Sequence, residues 1–250
     1  MTKVKICGIT NFEDASVAVE AGADLLGFIF YEPSPRYITP EAVKEIVASI
    51  RFLVSTVPQV ASPQFVGVFV NASREAVAHI LDYCQLDAAQ LHGEEPVEFV
   101  NYFKSRAFKA LRPEAAEQAK TLVQKYAQSP NLATPGRDKM SNYKLPSLLI
   151  DAYHPTLYGG TGHVTDWTMA ADIARQYPIM LAGSLTPANV AEAIRAVQPW
   201  GVDVSSGIEV EKGKKDHAKV KEFVKVAKRG FAPSDVVETL EQPYTYCSQE

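Results

Sequence analysis

The sequence predicts a closed parallel (β/α)8 barrel on three observations. Eight short apolar runs are spaced along the 250 residues. Segments that carry a single apolar stripe at helical spacing separate them. No Gly-x-Gly-x-x-Gly turn follows the first run, where an open dinucleotide-binding sheet would place one.

The runs are Val4–Cys7, Leu25–Phe30, Phe65–Val70, Ala88–His92, Phe108–Leu111, Leu148–Asp151, Ile179–Ala182 and Val202–Ser205. Short, nearly continuous apolar runs are what a strand buried on both faces looks like. The stripes between them are Val43, Ile46, Val47 and Ile50; Val77, Ile80, Leu81 and Cys84; Val190, Ala193, Ile194 and Val197; and Val220, Phe223, Val224 and Ala227. Each repeats i, i+3, i+4, i+7 and gives one face to pack on a sheet. Further helices are expected over Asn11–Ala21, Glu95–Phe103, Pro113–Tyr126 and Trp167–Tyr177. Asn11, Thr39, Ser73 and Thr186 are the expected N-caps, with Pro40 and Pro187 in first turns. Each crossover is long enough for the right-handed βαβ unit. A single-domain TIM barrel over residues 1–230 follows. A polar surface insertion at about 128–144 and an extension over 231–250, which either adds a short helix over Asp235–Leu240 or trails as a tail, lie outside the repeat.

Composition narrows the class. Apolar content of 46% fills a sizeable core, and a net charge of -4 without a basic stripe argues against nucleic acid. Met1-Thr2-Lys3 leads directly into the first strand, so no leader is expected, and no apolar run approaches membrane-spanning length. Cys7, Cys84 and Cys247 are odd in number and lack zinc spacing, which fits a reducing, cytoplasmic setting. A monomer is expected.

Active sites of such barrels stand at the C-terminal ends of the strands. Strand one ends in Cys7, with Lys5 on the same face, and Gly8 turns the backbone beside the thiol. The plain alternative is a small buried hydrophobe. Strand two leads into Pro33–Tyr37, which carries Arg36. Strand four ends in Gln90 and His92, two apart and so on one face. Strand six closes with Asp151 after Leu148-Leu149-Ile150; burial there is expected to raise its pKa and make it a proton donor. Gly183-Ser184 and Ser205-Ser206-Gly207, after strands seven and eight with Asp203, suit a phosphate held by backbone N–H groups. The glycine-rich Tyr158–Gly162 stretch beside Asp151 could cover the site.

Together these residues resemble the phosphoribosylanthranilate isomerase family. The motifs are KICGIT at Lys5–Thr10, GADLLGFIFYEPSPRYITPE at Gly22–Glu41, GVFVN at Gly67–Asn71, QLHG at Gln90–Gly93, LLIDAY at Leu148–Tyr153, GGTGHVTDW at Gly159–Trp167, LAGSLTPANV at Leu181–Val190 and VDVSSGIE at Val202–Glu209. The resemblance implies an Amadori rearrangement of a phosphoribosyl anthranilate, with no metal and no organic cofactor. It implies Asp151 as general acid, Cys7 as general base and Arg36 on the anthranilate carboxylate. Gly183, Ser184, Ser206 and Gly207 would hold the phosphate, and Asp203 the sugar hydroxyls. Acid and base would stand on opposed strands. Lys5 is expected to lower the thiol pKa of Cys7, or instead to pair with Asp203. Ser184 departs from the family, which usually has a second glycine there. Two rivals remain: a metal-dependent phosphosugar epimerase using His92, Asp151 and Asp203, and a non-catalytic phosphate-ligand barrel.

Overall fold

The structure is a computed structural model that describes residues 1–57, 60–113, 115–127, 145–151 and 163–229. Eight parallel strands close into a barrel in sequential order. They are β1 (Lys3–Cys7), β2 (Leu25–Ile29), β3 (Gln64–Phe69), β4 (Ala88–Leu91), β5 (Ala107–Leu111), β6 (Leu148–Asp151), β7 (Ile179–Ala182) and β8 (Gly201–Val204). The helices are α1 (Phe12–Glu20), α2 (Pro40–Thr56), α3 (Arg74–Tyr83), α4 (Val97–Tyr102), α5 (Ala116–Ala127), α6 (His163–Ala174), α7 (Val190–Val197) and α8 (His217–Arg229). Among the described residues no helix is long and apolar enough to cross a membrane. The insertion, the extension with Cys247 and the glycine-rich stretch lie outside the described residues.

Every expected strand is present, but four of them end one residue early. His92 and Ser205 stand just past β4 and β8, in the loops that build the mouth. Asn11, Thr39 and Ser73 cap their helices with side-chain oxygens. Thr186 does not. The α7 helix starts at Val190 because Asn189 turns back, accepting from the Thr186 N–H and donating to the Ser184 carbonyl. Glu95 also fails to open a helix. Its carboxylate is drawn inward to the backbone N–H groups of Asn71 and Gly93 and to Lys109, so α4 starts only at Val97. A feature absent from the expected pattern follows β8. A 3-10 turn, Ser206–Ile208, leads into a small hairpin of β9 (Glu209–Glu211) and β10 (Lys214–Lys215).

Two cores result. The larger lies between barrel and helices, and Cys84 belongs to it: its thiol is buried, approaches the Pro40 carbonyl at 3.2 Å and is pushed by burial to about 11. The smaller fills the barrel with Leu25, Val66, Phe108, Ala110, Leu149 and Met180. Above that apolar plug the interior turns polar. Lys5 and Asp203 are register partners on neighbouring strands, as are Cys7 and Gly27. β6 lies three places from β1 around the ring, so Cys7 and Asp151 are not on diametrically opposed strands; β5 occupies that position.

At the other end, Asp24 ties the barrel shut. It receives the Val4 N–H at 2.8 Å and the ammonium of Lys3 at 2.9 Å, and it pairs with Lys228 of α8. Burial pushes its carboxyl up, but these donors outweigh that and hold it below the usual range. A depressed native pKa gives stability that is full above the unfolded value, about 4, and lost as pH falls through the native one. Asp24→Asn is expected to lower stability by about 1–3 kcal/mol at neutral pH. The gap to the unaltered protein should close below pH about 4, which urea midpoints measured across pH would show.

Candidate active site

A cavity of about 430 Å³ opens at the C-terminal ends of the strands. All eleven residues singled out from the sequence line it: Cys7, Arg36, Gln90, His92, Asp151, Gly183, Ser184, Asp203, Ser205, Ser206 and Gly207.

The floor is built around Lys5, whose side chain is wholly buried. Its ammonium donates to Gln90 Oε1 at 2.8 Å and to Asp203 Oδ1 at 3.0 Å. Of the two expected roles of Lys5, the pair with Asp203 is formed. A lowered Cys7 thiol is not: burial pushes it up, Lys5 pulls it down and Asp203 pushes it up again, so that the net direction is up, with Lys5 and Lys215 only moderating it. Gly27 makes room for this pair. A Cβ there would lie 2.9 Å from Cys7 Sγ and 3.1 Å from Lys5 Nζ.

Asp151 closes β6 with 21% of its side chain exposed. Burial pushes its carboxyl up, as expected, but His92 and Arg112 more than reverse that, and the net direction is down. The expectation of a raised pKa in the vacant site is corrected by these two neighbours. Asp151 Oδ2 lies 3.5 Å from His92 Nε2 and 3.1 Å from Arg112 Nε. Arg112 also stands 3.0 Å from His92 Nε2. It is the residue immediately after β5, so the strand-end rule that found the others would have found it too.

His92 is held from both sides. Its Nδ1 lies 3.0 Å from Gln90 Nε2. The buried Lys109 donates to the carbonyls of Leu91 at 2.9 Å and Gly93 at 2.7 Å, the two residues that flank it. Lys109 is balanced by Glu95 at 3.2 Å.

Arg36 is positioned by a fork. Its Nε and Nη2 donate to the two oxygens of Glu209, each at 2.7 Å. Lys215 reaches the same carboxylate at 2.9 Å. Burial pushes Glu209 up, but Arg36 and Lys215 together hold it low. Neither Glu209 nor Lys215 was singled out as a site residue from sequence. Both belong to the β9–β10 hairpin, and the Lys-Gly step at Lys212-Gly213, with Gly213 at φ +87°, was its only signal.

The fourth wall is bare backbone. Gly183 has φ +99° and Ser184 φ +52°. This explains why the departure from glycine at Ser184 matters: a side chain must sit in a left-handed conformation that costs about 1–2 kcal/mol. The Asn189 side chain holds that turn by donating to the Ser184 carbonyl at 3.0 Å. Gly207 presses against the same segment; a Cβ on it would fall 1.9 Å from the Leu185 carbonyl oxygen. Beside it, Ser205 Oγ is buried without a hydrogen-bond partner among the described residues.

Among the described residues no three His, Cys, Asp or Glu side chains converge as metal ligands. The epimerase alternative would need Asp203 to leave Lys5.

A family model described as N-(5'-phosphoribosyl)anthranilate (PRA) isomerase matches residues 4–226. The chain belongs to this family. A PRA isomerase from Geotalea uraniireducens is 45% identical over 91% of this chain and 99% of its own length. One from Pelobacter propionicus is 42% identical over 91% of this chain and 96% of its own. The crystal structure of the Thermotoga maritima family member superposes with a TM-score of 0.72 at 38% identity, covering 92% of this chain and 100% of that one. A family member solved with reduced 1-(o-carboxyphenylamino)-1-deoxyribulose 5-phosphate gives 0.70 at 36% identity, with the same coverage. Family membership accounts for a barrel of this length with a carboxyl group, a thiol and a bare-backbone wall at one mouth.

Two substitutions probe the geometry. Lys5→Met removes the cation beside the thiol, so the Cys7 thiolate titration, followed by absorbance at 240 nm or alkylation rate, should move up by on the order of one pKa unit. Gly207→Ala forces the Leu185 carbonyl aside. It should raise KM for a phosphorylated substrate about tenfold or more, or cost about 1–3 kcal/mol of stability, while leaving the Cys7 titration in place.

Proposed function

We propose that this mouth converts N-(5'-phosphoribosyl)anthranilate to 1-(2-carboxyphenylamino)-1-deoxyribulose 5-phosphate, the aldose-to-ketose isomerisation of tryptophan biosynthesis, with Asp151 as acid and Cys7 as base. One observation carries the reading: a carboxyl group and a thiol line the same cavity, between an arginine and a wall of bare backbone. The substrate has a carboxylate and a phosphate for those two ends.

The steps balance on the chain's own residues. Asp151 gives a proton to the ribose ring oxygen while the anilino nitrogen lone pair forms C1′=N and the C1′–O bond breaks. The Cys7 thiolate takes the C2′ proton; the C–H pair becomes C1′=C2′, and the C=N pair returns to nitrogen. The enol then tautomerises to the ketone. Arg36, with two of its nitrogens fixed by Glu209, offers its remaining edge to the anthranilate carboxylate. The backbone at Gly183, Ser184, Ser206 and Gly207 receives the phosphate, and the unpartnered Ser205 hydroxyl supplies one further donor. Asp203 and Gln90 face the sugar from the floor. Every group comes from one chain, which supports a monomer as sufficient for the chemistry.

The two groups share one proton. It rests on Cys7, because the thiol is pushed up and the Asp151 carboxyl held down. The productive arrangement has it on Asp151, at the same total protonation. The kcat/KM profile should therefore be flat through neutrality. It should fall below the ordinary carboxylate value of about 4, where Asp151 adds a second proton. It should also fall above the ordinary thiol value of about 8.5, where Cys7 loses the only one.

The direct assay is the fluorescence decay of PRA generated in situ. The unaltered protein should consume it, and Cys7→Ser and Asp151→Asn should each lower kcat by about a hundredfold or more. Decay untouched by Cys7→Ser would remove the base assignment. No decay with the folded, unaltered protein would sink the isomerase reading and bring forward a phosphate-ligand binding barrel.

A further inference from the structure

A run of side chains, buried at Cys7, Lys5 and Gln90 and half-buried at His92 and Asp151, leads from the base to the acid. Its chemistry dictates its hydrogen positions. An ammonium has three donors and no acceptor, so the Gln90 atom 2.8 Å from Lys5 Nζ is the amide oxygen. The other end of that amide is an NH2 group, which only donates, and it lies 3.0 Å from His92 Nδ1. His92 Nδ1 must then be the unprotonated nitrogen. In the neutral ring the proton sits on Nε2, the nitrogen nearest the Asp151 carboxylate at 3.5 Å. Both ring nitrogens face donors, since Arg112 Nε donates to His92 Nε2 at 3.0 Å as well as to Asp151 Oδ2 at 3.1 Å; of the two, the Gln90 amide is pinned by the buried Lys5, while Arg112, 62% exposed, is free to turn wholly to Asp151.

We propose that Gln90 is a positioning residue: pinned by the buried Lys5, it locks His92 as the Nε2–H tautomer, with that N–H turned to Asp151. The lock gives the acid an N–H donor of fixed direction. The proton for ring opening comes from Asp151 alone. The same lock separates acid from base, because an amide between Lys5 and His92 orients groups without passing protons. The geometry of the lock is independent of the reaction; its catalytic consequence rests on Asp151 being the acid.

The test is 15N spectroscopy of the protein labelled at histidine, at neutral pH, with the His92 signals assigned by their loss in His92→Gln. The expected result is an unprotonated Nδ1 and a proton on Nε2. Gln90→Glu keeps an acceptor for Lys5, and so keeps the floor packed, but it has no donor for Nδ1. The His92 proton should appear on Nδ1, and kcat should fall about tenfold or more with KM within about threefold. Gln90→Met, with neither group, should populate both tautomers. A proton on Nδ1 in the unaltered protein overturns the lock, and so does Gln90→Glu with the His92 proton still on Nε2. An Nε2–H tautomer in a protein that fails to consume PRA would uphold the lock and discard the acid role of Asp151.

Discussion

A lysine with no solvent exposure sits inside the barrel, and the site is arranged around the cost of that charge. An unpaired buried ammonium is worth several kcal/mol of penalty. Lys5 offsets it with Asp203 and Gln90, both themselves buried. Each partner is thereby fixed to within a hydrogen-bond length. Asp203 is held at the floor, Gln90 is given one orientation of its amide, and the neighbouring thiol acquires a cation. Gly27 belongs to the same constraint, since only a residue without a side chain leaves room for the lysine and the cysteine together. The polar layer is possible because the layer beneath it is not polar. Leu25, Val66, Phe108, Leu149 and Met180 seal the barrel below and keep water from reaching the ammonium.

Cys7 and Asp151 are shifted in opposite directions. Desolvation acts on both, and alone it would raise both. It wins at Cys7, where Lys5 is partly spent on Asp203. It loses at Asp151, where Arg112 and His92 converge on one oxygen.

Much of this was readable in the sequence, for a reason that differs by element. Strands and helix stripes follow from burial, which leaves a period in the residues, and so eight strands and their order were legible. The mouth residues were legible because barrels place chemistry at strand ends, and Cys7, Gln90, Asp151 and Asp203 are polar groups where packing alone would put apolar ones. What escaped were residues whose role depends on a partner distant in sequence. Glu209 matters because it meets Arg36, 173 positions away. Lys109 matters because it holds the two carbonyls flanking His92. Glu95 and Thr186 were misplaced because local capping rules assume a solvated carboxylate and a free hydroxyl turn. Tertiary partners, Lys109 in one case and Asn189 in the other, took precedence.

The charge arrangement of the mouth makes a final demand. The ligand it suits is strongly anionic, yet three carboxylates, Asp151, Asp203 and Glu209, lie around the cavity. A bare carboxylate about 4 Å from a ligand anion would repel it by roughly 4 kcal/mol at the effective dielectric of a protein surface, enough to cancel a good phosphate contact. None of the three is bare. Arg112 covers Asp151, Lys5 covers Asp203, and Arg36 with Lys215 covers Glu209. The cations thus outnumber the carboxylates by one, and that surplus sits with Arg36 and Lys215 around Glu209. The phosphate can then be met by uncharged N–H groups, which bind without a counter-charge that would have to be desolvated in the vacant site. The wall needs glycine for its shape, and it tolerates Ser184 because the serine keeps its N–H; Asn189 holds the turn that the missing glycine would have made easy.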